Sequence, residues 1–185
     1  MSGMIWILIS LAIASIGIYV VAVLQRKRGP QIELPEGETL PKTHLQRYAG
    51  WTLLEVAFLT ALAAGIVFVH GPEVWWEQDR VRLTFTLVLI VALATFLVFN
   101  LAVVRLRKRS EALFDERDAV ILNHSGAGAG AAMMVVMAAW MVSLVEYYHD
   151  SGLVPSYFLY LVFWSLVMTN VIASLAGILL AYRRA

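Results

Sequence analysis

Leu83 to Val104, LTFTLVLIVALATFLVFNLAVV, is the stretch of sequence that decides the fold. It contains no charged side chain and is long enough to cross a membrane. A helix rises about 1.5 Å per residue, and the hydrocarbon core of a bilayer is roughly 30 Å thick. We therefore predict a transmembrane helix here.

The same criterion identifies four more stretches in this chain of 185 residues, 61% of which are hydrophobic and only 15% charged. A soluble domain of ordinary composition has about 45–50% apolar and about 25% charged residues. The predicted fold class is therefore all-α, a polytopic transmembrane helical bundle that forms a single domain. Its five spans are 4–24, 51–69, 83–104, 125–145 and 155–182.

Lysine and arginine are distributed unevenly between the segments that connect these spans. Of the fourteen in the chain, only Arg80 and Arg82 fall on one predicted side of the membrane, and the other twelve fall on the opposite side. Positive residues collect on the cytoplasmic side of membrane proteins. We therefore predict that the N-terminus lies outside and the C-terminus inside.

The connections differ in composition. The inner segment 29–48 contains Pro30, Pro35 and Pro41 and is predicted to be an extended linker. The inner segment 105–123 lacks glycine and proline, so we predict a juxtamembrane helix that continues into the fourth span.

Aromatic side chains mark the short outer connections. Trp75 and Trp76 lie in one, and Tyr147 and Tyr148 in the other. Tryptophan and tyrosine are enriched where the bilayer meets water, so we interpret these four as interfacial belt residues.

Small residues indicate where helices pack closely. Gly126 and Gly130 are four residues apart in the run SGAGAGAA, and Ala173 and Gly177 repeat the spacing in the fifth span. Helix contacts in membranes are enriched in such residues because the backbones can approach each other. We predict close packing at these four positions, either within the chain or between chains.

A polar side chain inside the hydrocarbon is costly and is therefore a candidate for function. The spans contain three clear examples, Glu55, Asn100 and Asn170. They are candidates for a proton or ion path. The alternative, which we favour, is that they form hydrogen bonds between helices, each contributing about 0.6–2 kcal/mol.

Histidines raise the question of a cofactor. His70 and His149 fall at the outer ends of two spans, and His44 and His124 fall on the inner side. Paired imidazoles between helices can ligate a b-type haem. We predict no cofactor and no metal site, because these histidines lie in turns or in the linker, and we keep haem with His70 and His149 as the alternative.

The inner segment also contains an acidic stripe, which we define as Glu111, Asp115 and Asp118, spaced to share one helix face. The basic run 105–109 before it is expected to lie at anionic lipid headgroups. The stripe is interpreted either as part of a salt-bridged juxtamembrane helix or as a docking surface for a basic partner.

The sequence Asp115-Glu-Arg-Asp-Ala-Val-Ile121 stands between a span with a basic end and a span rich in small residues. It resembles a family of small prokaryotic membrane proteins of unknown function that carry a DER(D/E)xxI motif in the same position. The resemblance covers residues 101–141 and implies a prokaryotic membrane, but no activity. After the isoleucine this chain has Leu-Asn-His, where a Lys-Ala pair is expected.

No nucleophile elbow, zinc-protease, P-loop or dinucleotide-binding pattern occurs in the sequence. We therefore expect a non-enzymatic accessory or structural subunit that lies in the lipid bilayer. Its expected partners are further copies of itself or a larger membrane complex, and no nucleic acid. The alternatives are a haem- or quinone-associated electron-transfer subunit and a small transporter or channel component.

Overall fold

The computed structural model describes residues 43–109 and 116–182, and every regular element in these ranges is an α-helix. Four of the helices are long and apolar enough to cross a membrane, which confirms the all-α, multi-pass class. The first predicted span, 4–24, lies outside the described residues. In chain order the helices are α1 (His44–His70), α2 (Pro72–Glu77), α3 (Asp79–Arg109), α4 (Glu116–Tyr148) and α5 (Ser156–Tyr182).

The predicted linker 29–48 is wrong at its C-terminal end, because α1 already begins at His44. Thr43 is the N-cap, and its side chain accepts a hydrogen bond of 3.1 Å from the backbone N–H of Gln46. Such a bond satisfies an amide that has no partner within the helix. Thr43-His-Leu-Gln46 has the spacing of a capping box, which is the sequence signal for this helix start.

The predicted juxtamembrane helix 105–123 is divided between two helices. Residues 105–109 form the end of α3, and residues 116–123 form the start of α4, as the predicted continuation into the fourth span requires. Residues 110–115 lie outside the described residues. The first part of the predicted polar segment thus belongs to α3, and its last part belongs to α4.

Glycine and proline make the turn between α1 and α2. Gly71 has a φ of 77°, a left-handed conformation that side chains other than glycine rarely adopt, and its N–H donates to the carbonyl of Val67 over 2.9 Å. Pro72 then starts α2, where its missing N–H costs nothing. The short helix α2 caps one end of the bundle, which we call the α2 end.

The four long helices run antiparallel to their chain neighbours. α5 lies in the middle, with α1 and α3 on one side and α4 on the other. From Trp164 to Tyr182 its buried positions recur at alternating intervals of four and three residues, as in coiled-coil packing. They are Trp164, Met168, Val171, Leu175, Ile178 and Tyr182. The facing positions of α4 are mostly small, which brings the two helix axes close together.

Trp75 is not the interfacial residue that the sequence predicts, because its side chain is 0% exposed. It packs between α2, α3 and α5, with the ring of Phe85 at 4.8 Å and that of Tyr160 at 6.0 Å. Trp76 is half-buried, and the Arg82 guanidinium lies 5.1 Å from its ring. The α2 end is therefore fixed to the bundle by an aromatic cluster.

Candidate functional site

Gly177 of α5 and Ser125 of α4 lie at a close contact between two helices. A Cβ built on Gly177 would lie 3.0 Å from the Cβ and 3.1 Å from the Cα of Ser125. Contacts this short leave no room for a larger residue without a shift of the backbone. Gly177 therefore occupies a close helix contact within the chain, and Ser125, its partner, was not identified from the sequence.

Gly126 and Gly130 do not contribute to this contact. Both are exposed, and nothing lies within 4 Å of a Cβ built on either residue. We call this surface of α4 the glycine face. Within the described part of the chain the close packing predicted for this pair is not present, so the glycine face is open to lipid or to another helix. Ala173 is half-buried and lines a cavity.

Asp118 does not lie on a solvated stripe, since only 2% of its surface is exposed. Its carboxylate accepts a hydrogen bond from the hydroxyl of Tyr182, the last residue of α5. The docking surface predicted for Glu111, Asp115 and Asp118 is therefore wrong for its third member. Glu111 and Asp115 lie outside the described residues.

The motif behind the family resemblance has a structural role at two positions. Asp118 is its fourth residue, and Ile121 is its seventh and is also buried. The two are three residues apart, so they project from the same side of α4 toward α5. This part of the motif holds the start of α4 against the end of α5.

The three intramembrane polar residues lie apart. Glu55 is exposed about three turns into α1 and accepts a hydrogen bond of 3.1 Å from Thr95 of α3. The Asn100 side chain donates to the carbonyl of Phe96 on its own helix over 2.9 Å. Asn170 is half-buried in the middle of α5. Glu55 thus links two helices, as the favoured interpretation predicts, and no hydrogen bond joins these three side chains to one another.

The histidines are all exposed and stand at or near helix ends. His44 and His70 are the first and last residues of α1, and His149 follows the last residue of α4. The ring of His124 is 3.0 Å from the carbonyl of Val120 in the preceding turn. Within residues 43–109 and 116–182, no three histidine, aspartate or glutamate side chains are grouped closely enough to hold a metal ion.

A cavity of about 320 Å³ lies between the helices in the half of the bundle nearer the α2 end. All four long helices line it, and none of the lining side chains is charged. Trp140 of α4 and Ser165 of α5 stand in its wall and bond to each other over 2.8 Å. A space of this size falls at the lower end of the range of ligand pockets.

Three buried or half-buried hydrogen bonds therefore hold the helices in register: Tyr182 to Asp118, Trp140 to Ser165, and Thr86 to Tyr160, the last over 2.8 Å. Apart from Asp118, sequence reasoning missed the members of these pairs. Each is a hydroxyl or indole in an apolar helix, but serine, threonine and tyrosine recur throughout the spans. Residue type alone therefore does not indicate which side chains form hydrogen bonds with each other.

Comparison of the chain with protein-family models, with curated proteins and with solved structures finds no match.

Proposed function

We propose that this protein is a non-enzymatic integral membrane protein that acts as an accessory or structural subunit. It docks through the glycine face, Gly126 and Gly130, against a helix of a second copy or of a larger membrane complex. The observation that carries the proposal is the open space above both glycines on an otherwise tightly packed pair of helices.

The support is as follows. Helix contacts in membranes gain their free energy from close van der Waals packing, which small residues permit and lipid chains match poorly. α4 is held by α5 on a different side, about 110° around the helix from the glycine face, where Ser125, Ala129 and Ala132 are buried. A partner that docks on the glycine face therefore meets a preformed surface, and association does not require α4 to become ordered.

The proposal includes a fifth span and an orientation. The stretch 4–24 is uncharged and long enough to cross the bilayer, and the twelve-to-two distribution of lysine and arginine favours an outside N-terminus. The DERD motif, by its likeness to a prokaryotic membrane family, favours the cell membrane of a prokaryote.

The test is to replace both Gly126 and Gly130 with leucine. The protein is purified into lipid nanodiscs together with any membrane partner that binds it stoichiometrically, and the mass of the assembly is measured. We expect the wild type to exceed the mass of one copy or to retain the partner. The double variant should lose that mass, because branched side chains hold the two helices apart. Its melting temperature should not fall, since nothing lies within 4 Å of a Cβ built on either glycine.

Ala94→Leu is the matched control, because Ala94 is an exposed small residue on α3. It should change neither the mass nor the melting temperature. A double glycine variant with the mass and partners of the wild type would show that this surface meets lipid only. A wild type that is a single copy without a partner would also refute the docking function.

A further inference from the structure

In the described part of the chain, the carboxylate of Glu55 is exposed on the outside of the bundle, where α1 meets α3. We propose that it binds a lysine or arginine on a membrane-spanning helix of a different protein. That helix packs along the groove between α1 and α3. The inference does not rest on the proposed function of the glycine face.

Both helices that form the site place it far from their ends. Glu55 lies about 16 Å along α1 from His44 and about 22 Å from His70. Thr95, which donates to it, lies close to the middle of α3. Because the hydrocarbon core is roughly 30 Å thick, a bilayer centred on these helices contains the carboxylate.

The carboxylate has more hydrogen-bonding capacity than its neighbours use. A carboxylate can accept about four hydrogen bonds. The Thr95 hydroxyl has a single hydrogen and lies 3.1 Å from both the Glu55 carboxylate and the Val91 carbonyl, so this hydrogen is shared. Within residues 43–109 and 116–182, Glu55 has no other hydrogen bond and no ion pair. A charged side chain at this depth is costly unless it is paired, so a cation from a partner would be stabilised here.

The exposed surface of α1 around Glu55 has the pattern of a helix-binding face. Trp51, Glu55, Phe58 and Leu62 are all exposed and recur at intervals of four, three and four residues. Contacts between coiled helices have this spacing, and a single polar residue in such a row fixes the register of the partner. This pattern favours a helix over a small cation as the occupant.

α3 forms the other wall of the groove. Val91 and Val98 flank Thr95 at intervals of four and three residues, and both are exposed. Since α1 and α3 are antiparallel, the contact between Glu55 and Thr95 places Phe58 level with Val91. The walls are therefore apolar on both sides of the carboxylate. A partner helix with one basic residue in an apolar sequence matches this arrangement.

A second copy of this chain does not supply the basic residue. None of the five predicted spans contains a lysine or an arginine. On α1 the nearest arginine to Glu55 is Arg47, eight residues or about 12 Å away along the helix. A copy that packs at the same depth therefore offers no cation to Glu55, and the partner is a different membrane protein.

The groove is separate from the cavity and from the glycine face. Ala64, which lines the cavity, is nine residues from Glu55 and therefore about 180° around α1. α4, which carries the glycine face, lies on the other side of α5 from α1 and α3. A helix in the groove leaves both of these surfaces free.

A designed peptide tests the inference. The full-length protein carries a donor fluorophore on Ser151→Cys, in an exposed turn of a chain that has no other cysteine, and is reconstituted in phosphatidylcholine vesicles. The probe is a membrane-spanning polyleucine peptide of about 20 residues with one lysine at its centre and an acceptor fluorophore at one end. We expect energy transfer to show binding to the wild type that is tighter than binding to Glu55→Gln by about tenfold or more, because loss of one member of a desolvated charge pair weakens binding strongly. A peptide with leucine at its centre should bind both proteins equally.

Asn100→Leu is the matched control. Asn100 is also an exposed polar residue of α3, but it is five residues from Thr95 and therefore about 140° around the helix. This variant should bind the lysine peptide as the wild type does. Thermal unfolding of the three proteins shows whether each is folded.

A second measurement keeps Glu55 in place and is independent of the folding of Glu55→Gln. A peptide with a cysteine one turn from its lysine is oxidised with Phe58→Cys, where we expect a disulfide, and with Met134→Cys, where we expect none. Met134 is the matched control because it is exposed at a similar distance from the α2 end and stands one turn beyond Gly130 on α4.

Equal binding of the lysine peptide to the wild type and to folded Glu55→Gln would overturn the inference. Equal binding of the lysine and leucine peptides to the wild type would do the same, since it would show that the contact is apolar only. A disulfide through Met134→Cys and none through Phe58→Cys would also overturn it and would place the helix on the glycine face.

Discussion

Asp118 and Tyr182 join α4 to α5 at the end of the bundle opposite α2. The carboxylate is buried, and a buried acid is stable in a protein only when its oxygens accept hydrogen bonds. The hydroxyl of Tyr182 supplies one of them. This bond fixes the register between the first turn of α4 and the last turn of α5.

Tyr182→Phe is predicted to lower the free energy of unfolding by about 1–3 kcal/mol, because it removes a hydroxyl that donates to a buried carboxylate. Denaturant titration in detergent micelles measures the change. Tyr48→Phe is the control, since Tyr48 is exposed near the same end of the bundle, and it should change stability little. Equal stability of Tyr182→Phe and the wild type would show that this hydrogen bond does not hold the helices together.

The pair α4 and α5 is the most closely packed part of the bundle. Along α4 the residues that meet α5 are mostly small, whereas along α5 they are mostly large. Large side chains of one helix therefore pack over small residues of the other, which gives close packing. Gly177 is the exception on α5, and a Cβ built on it would lie 3.1 Å from the Cα of Ser125.

Gly177→Ala and Gly126→Ala should change the stability of this pair in opposite directions. Alanine favours a helix over glycine by up to about 1 kcal/mol, so Gly126→Ala, in open space, should stabilise the protein slightly. At Gly177 the added methyl would meet Ser125, and overpacking of this kind typically costs about 1–3 kcal/mol. Thermal unfolding of the two variants in the same detergent makes the comparison. A Gly177→Ala protein as stable as Gly126→Ala would contradict the close contact.

At the scale of the whole molecule, the α2 end and the opposite end are chemically different. The α2 end has the aromatic cluster and Arg82, which also binds Asp79 over 2.5 Å and the Trp76 carbonyl over 2.7 Å. Apart from Arg80, the other lysines and arginines in the described ranges lie toward the opposite end: Arg47, Arg105, Arg107, Lys108, Arg109 and Arg117. This polarity is the basis of the proposed orientation, with the α2 end outside.

Impermeant thiol reagents should label Ser2→Cys and Trp76→Cys from outside intact cells, and Ser110→Cys only after the membrane is opened. The reason is the twelve-to-two distribution of lysine and arginine between the two predicted sides, since the side with more of them is retained in the cytoplasm. Labelling of Ser110→Cys in intact cells would reverse the orientation. Labelling of all three positions in detergent is the control for reactivity.

Part of the candidate site could be predicted from sequence, and part could not. Gly177 was identified because a glycine at helical spacing from an alanine is a packing signal. Gly126 and Gly130 carry the same signal, yet they face outward within the chain. Asp118 was identified as an acid at helical spacing but was interpreted as exposed, because a helix with charged residues at its end gives no indication of which side a neighbour covers.

The sequence by itself determined that the protein is a multi-pass helical membrane protein, and it located four of the long helices. Length and freedom from charge are properties of each stretch of sequence. Whether a stretch can cross the bilayer depends on these local properties alone. Only the tertiary structure decided which face of each helix is inside, which small residues touch, and where the buried acid finds its donor. In a soluble protein the apolar face would reveal the interior, but here lipid and the interior of the bundle are both apolar, so the same residues suit either side.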